Sequence, residues 1–128
     1  IRLSRGGADA TVTREFDVET RQFIEDGFVL SEAKSDVGWI DIDTVYVGTD
    51  FGEGTLTDSG YPRIVKRWRR GKPLSEAKTV YEGEVTDIAV AASHDHTPGW
   101  EGDFVTRAIT FFSNEIFEIT EKGLWKLP

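Results

Sequence analysis

Three hairpins in this 128-residue chain share one pattern, and their recurrence limits the fold more than any other feature. In each, a charged strand ends on an aromatic, a turn follows, and a second apolar strand closes. They are TREFDVETRQF, VKRWRRGKPLSEAKTVYEG and NEIFEITEKGLWKL, anchored on Phe16, Trp68 and Phe117. The anchors stand roughly 50 residues apart, a period that belongs to propeller blades of four strands each.

Alternation and short β-branched or aromatic runs predict strands at residues 11–18, 37–40, 44–48, 63–69, 78–82, 86–92, 104–112, 115–120 and 123–127. No stretch sustains the i, i+3, i+4, i+7 spacing of an amphipathic helix, and only Ser31 to Ser35 offers a single helical turn. The expected fold class is therefore all-β: a β-propeller fragment of about two to three four-stranded antiparallel blades. Residues 1–35 are expected to form the outer hairpin of one blade, 36–84 a complete blade and 85–128 the next. An unrelated β-sandwich of eight or nine strands is the competing architecture, which the spacing disfavours. Propellers close with about four to eight blades, so this fragment should expose blade faces and strand edges and should self-associate through them.

Composition excludes several function classes. The formal charge of −8 argues against a protein that coats nucleic acid, which needs a surplus of Lys and Arg on one face. Lys66, Arg67, Arg69, Arg70 and Lys72 form the one basic cluster, but strand alternation divides them between two faces, with Trp68 turned inward. The absence of Cys removes disulfide scaffolds, thiolate zinc sites and Cys nucleophiles together. No run approaches the roughly 20 apolar residues of a membrane span, so no membrane partner is expected. With no Met and a polar Gly-Gly opening segment, the chain reads as an excised or proteolytic core. Both cytoplasm and periplasm stay open as compartments.

The chemistry-bearing candidates are few. Ser59 sits in Thr57-Asp58-Ser59-Gly60-Tyr61, which lacks the Gly-x-Ser-x-Gly nucleophile elbow, and it reads as a turn residue. Loop residues 49–62 are rich in glycine yet end in no Gly-Lys-Ser/Thr, so they make no phosphate cradle. Asp50, Glu53 and Asp58 match no calcium-loop pattern, and a glycosidase carboxylate pair near Asp50 belongs to the sandwich alternative. His94 and His96 alternate and could chelate zinc with Glu101 or Asp103, but the spacing is loose; no metal and no cofactor is expected.

The run from Trp39 to Leu74 carries more specific wording. Its D-x-D-T strand pair (Asp41 to Thr44), its GTDFG-x-G-x-LT-x-SGYPR loop (Gly48 to Arg63) and its W-x-RG-x-PL turn (Trp68 to Leu74) resemble the N-terminal propeller domain of bacterial prolyl oligopeptidase family serine peptidases. That resemblance implies a propeller seated over a C-terminal α/β-hydrolase domain that holds the whole catalytic triad, so this segment would be inactive alone. It also implies that loops on the facing side restrict access, so that short peptides are cleaved after proline. The link between the second and third strands of a blade emerges on that side; here it is residues 49–62. A loop of that length must be pinned by its own aromatics, and Phe51, Tyr61 and Arg63 are expected to contact the hydrolase domain or the bound peptide. The expected partners are thus that domain and a short peptide substrate. The alternative is a ligand-binding or sensor propeller, or a β-sandwich module, with no peptidase partner.

Overall fold

A computed structural model describes Ile1–Pro128 as thirteen strands in four antiparallel sheets, without an α-helix. The first sheet has the order β1-β2-β5, from β1 (Arg2–Ser4), β2 (Thr11–Arg14) and β5 (Val29–Ala33), and a two-stranded ribbon of β3 (Phe16–Asp17) and β4 (Gln22–Phe23) is inserted in it. A four-stranded meander follows, β6 (Asp36–Asp41), β7 (Thr44–Gly48), β8 (Ile64–Arg69) and β9 (Lys78–Glu82). A second meander comprises β10 (Ala89–Asp95), β11 (Gly102–Thr110), β12 (Ser113–Thr120) and β13 (Gly123–Lys126). The all-β expectation holds, as does the propeller-fragment architecture.

The central meander, β6 to β9, is buried on both faces, and its sequence shows why. In β7 the apolar run Val45-Tyr46-Val47 sends successive side chains to opposite sides of the sheet. Val45 and Val47, with Trp68 from β8, meet Phe28 and Leu30 of the first sheet. Tyr46 and Val65 meet Val90, Ala92 and Val105 of the last sheet. The sheets therefore stack face on face, first against central against last. Gly38 allows a close backbone approach in this stack, because a Cβ there would stand 3.3 Å from the Ala92 carbonyl oxygen.

Polar groups within the stack are paired. Trp68 donates its indole N–H to the Lys72 carbonyl at 2.7 Å, and its ring lies edge-on to Phe28, centroids 4.9 Å apart. Arg70 forks onto Glu15 with two 2.8 Å bonds, which ties the central sheet to the first. Glu15 also accepts the Phe28 N–H at 2.9 Å, and these bonds hold its carboxyl below the ordinary range. Asp87, with a side chain only 1% exposed, is clamped by Arg107 at 2.8 and 3.0 Å. The same fork lowers the Asp87 carboxyl and raises the Arg107 guanidinium. A hydroxyl pair, Ser35 and Thr49 at 2.7 Å, is buried where the first and central sheets meet.

Three local expectations change. The helical turn at Ser31 to Ser35 is strand and extended chain instead: Leu30 is buried between exposed Val29 and Ser31, so period two wins once the first sheet offers a partner. The strand expected from Thr86 starts at Ala89, because Asp87 accepts the Glu84 N–H at 2.7 Å and closes a turn there. The strand expected through Phe112 ends at Thr110. Arg2–Ser4 adds a strand that pairs with β2.

Two tryptophans separate core burial from surface display. Trp68 is 7% exposed and Trp125 67%. Urea unfolding of Trp68→Ala should show a loss of about 3–5 kcal/mol, whereas Trp125→Ala should stay within about 0.5 kcal/mol of the parent. Equal losses would contradict this packing.

Candidate functional site at the long-loop end

Loop residues 49–62 fold into a small ordered ribbon. Leu56 bridges Pro62, the Thr57 N–H donates to the Tyr61 carbonyl at 2.8 Å, and the Arg63 N–H donates to the Thr55 carbonyl at 3.3 Å. At its tip a turn from Thr57 to Gly60 closes through a 2.9 Å backbone bond, and Gly60 adopts φ 79, a conformation glycine reaches without a Cβ clash. At its other corner the Asp50 carboxylate accepts the Gly52 N–H at 2.9 Å. The ribbon is tied to the link between the central and last sheets, because Asp58 donates its N–H to the Val85 carbonyl and Thr57 donates its hydroxyl to the Ile88 carbonyl. Side chains that favour turns and local backbone bonding thus hold the loop.

Arg63 ties the loop to the end of β9. It donates to the Gly54 carbonyl at 2.8 Å, to Glu82 at 2.6 Å and to the Gly83 carbonyl at 2.9 Å. Phe51 packs against the apolar cluster of Trp68, and the Lys66 ammonium stands 4.3 Å from its ring centroid. Both residues support the loop from inside. Tyr61 is half-buried and differs from them: Lys34 covers one side of its ring at 4.4 Å, and its hydroxyl lies 3.5 Å from Asp9. It borders a pocket of about 300 Å³ whose rim includes Arg2, Asp9, Lys34 and Asp36.

Strand direction places a further pair of residues at this end. Val90 donates its N–H to the Pro62 carbonyl at 2.9 Å, so β10 starts beside the loop. Because β11 runs antiparallel and pairs Ala108 with Ala89, the β11–β12 turn lies there as well. That turn consists of Phe111 and Phe112, which are 88% and 100% exposed. The sequence reading absorbed both into a strand. The available signal was an aromatic pair at a position where a hairpin of this length usually carries Asn, Asp or Gly.

The other candidates assemble no reactive group. Ser59 is exposed in the turn, and its carbonyl accepts the Lys34 ammonium at 3.1 Å. His94 and His96 do meet, ring centroids 4.4 Å apart. His94 is bonded to Asp103 at 3.0 Å, and His96 to the Trp39 carbonyl at 3.1 Å. No group of three or more His, Asp or Glu side chains comes together to hold a metal ion. The basic cluster is dispersed in a definite way: Lys66 lies on Phe51, Arg67 donates to the Tyr46 hydroxyl at 3.0 Å, and Arg70 is held by Glu15. No helix is long and apolar enough to cross a membrane.

Comparison with known proteins adds what the geometry leaves open. No family model matches the chain. It is 37% identical over 118 residues to an uncharacterized peptidase of Sinorhizobium fredii, a match covering 91% of this chain and 16% of the relative. It is 30% identical over 100 residues to an uncharacterized peptidase of Rickettsia prowazekii, covering 72% of this chain and 14% of that one. Among solved structures, that of a post-proline cleaving enzyme from Rickettsia typhi matches with a TM-score of 0.88 and 26% identity, over 99% of this chain and 20% of the other. The chain therefore spans only a fifth or less of the proteins it matches.

Proposed function

Since the chain belongs to the prolyl oligopeptidase family as a segment of its propeller domain, we propose that its long-loop end restricts access to a hydrolase domain elsewhere in the parent polypeptide. The observation that carries this reading is that the ordered ribbon of residues 49–62 and the bare Phe111–Phe112 tip project from the same end of the sheets. In an acidic chain, two adjacent aromatics so exposed are costly in water and valuable at a contact, since each can bury some 150–250 Å². The segment contributes shape and contact; the parent's hydrolase domain supplies the nucleophile and cleaves short peptides after proline.

In this reading Tyr61, Phe111 and Phe112 touch the hydrolase domain or the incoming peptide. Phe51 and Arg63 act one step behind them by fixing the loop, since Arg63 is bonded to Gly54, Glu82 and Gly83. This reading divides the blades at residues 1–35, 36–84 and 85–128, a division that the grouping of the strands into separate sheets supports. The outward face of the last sheet, with Phe104, Ile116 and Trp125, is the one that the isolated segment would use for self-association.

Two measurements test these readings. In the full-length parent, Tyr61→Ala combined with Phe111→Ser and Phe112→Ser should raise kcat/KM for long peptides relative to short ones by about tenfold. Unchanged turnover with an unchanged size limit would sink the gate. For the isolated chain, sedimentation equilibrium should show a concentration-dependent rise in mass that Ile116→Lys reduces; a monomer throughout would rule out self-association.

A further inference from the structure

At the end of the sheets opposite the long loop, a cleft of about 580 Å³ opens between the β3–β4 ribbon and the turn that joins β6 to β7. Phe16, Val18, Ile24, Trp39 and Ile42 form its apolar walls, Asp17 and Asp41 stand on its rim, and His96, bonded to the Trp39 carbonyl, completes its polar edge. Its size lies within the range of small-ligand sites, and so does its design of apolar walls with few polar groups. Trp39 is 45% exposed and Ile42 74%, so the walls present substantial apolar surface to solvent.

The charges at the rim are fixed and available. Asp17 accepts the Glu19 N–H at 2.9 Å and the Thr20 N–H at 3.3 Å. Asp41 accepts the Asp43 N–H at 2.8 Å. These backbone bonds hold both carboxyls below the ordinary range, so both are anionic at neutral pH. Neither carboxylate enters an ion pair, although Arg67 and Arg69 face Asp41 at longer range and Asp41 also borders a groove lined by Arg67, Arg69, Lys72 and Lys78. Glu15, the third acid at the cleft, is already neutralised by the fork from Arg70. Within the cleft, Asp17 therefore carries the unpaired negative charge, and Asp41 adds a charge that Arg67 and Arg69 offset only at longer range.

We propose that this cleft binds the Lys or Arg side chain of a peptide segment, with its alkyl stem against the apolar walls and its cationic head between Asp17 and Asp41. A long basic side chain fits both halves of the site, because its methylenes cover apolar surface while its charge reaches the rim. Arg also stacks on an indole face, and a cation over Trp is favourable within about 6 Å of the ring centroid. A bare apolar ligand would leave both carboxylates unmatched, and a simple metal ion would leave the walls wet. The site lies at the far end from the proposed gate, so it stands or falls independently of that reading.

The test uses this chain and a tripeptide, acetylated and amidated, with a central Arg between two Leu residues, compared with the same peptide carrying uncharged citrulline. Binding is followed through the Trp39 indole N–H resonance, assigned with Trp39→Phe. We expect saturable shifts with the Arg peptide, affinity at least fivefold above that of the citrulline peptide, and weakening as NaCl is raised. Asp17→Asn and Asp41→Asn keep a carbonyl acceptor for the backbone N–H groups and remove only the charge, so each should fold normally and weaken binding by about three- to tenfold. Equal binding of the two peptides would overturn the proposal. So would undiminished binding by both Asn variants, or shifts spread over the acidic surface rather than centred on Trp39.

Discussion

Everything in this structure depends on the central meander being buried on both faces. A half-buried antiparallel strand alternates apolar and polar residues, but β7 reads Val45-Tyr46-Val47 without a polar break, and all three are at most 1% exposed. That continuity forces a sheet on each side. Val45 and Val47 require Phe28 and Leu30, and Tyr46 requires Val90, Ala92 and Val105. A two-layer sandwich would cover one of these faces and leave the other wet. A stack of sheets covers both and leaves its outermost faces open.

The fixed charges reinforce this arrangement at its seams. Arg70 reaches from the turn after β8 to Glu15, and Arg107 reaches from β11 to Asp87 in the link that leads into β10. Each is a planar fork on a carboxylate that also accepts a backbone N–H, a geometry Lys cannot reproduce. These pairs fix the alignment of segments that the apolar clusters already bring together. Specificity of docking is a better description of their role than bulk stabilisation, because desolvation offsets much of the attraction between partly buried ions.

The parts of the fold governed by local pattern were legible in the sequence. The strands around Thr44 to Gly48, Lys78 to Glu82 and Glu115 to Thr120 lie where alternation or short β-branched and aromatic runs put them, and the inward turn of Trp68 follows from its place between Arg67 and Arg69. What stayed hidden depended on partners distant in sequence. Val29–Ala33 becomes strand only because Thr13 and Arg14 pair with it. The site was legible to a similar degree: the wording of residues 48–63 marked the loop, yet nothing local revealed that Arg63 would bond Gly54, Glu82 and Gly83. The exposed tip at Phe111 was missed because two aromatics after an apolar strand look like more strand. The Trp39 cleft was invisible for a simpler reason, since its walls come from two separate sheets.

Native-state amide hydrogen exchange on the 128-residue chain tests the two-sided burial of the central sheet most directly. The account predicts the slowest exchange in β7 and β8, with Val45, Tyr46, Val47 and Val65 opening only on global unfolding, and fast exchange in β1 and β13. Equal or greater protection in β12 and β13 than in β7 and β8 would contradict it.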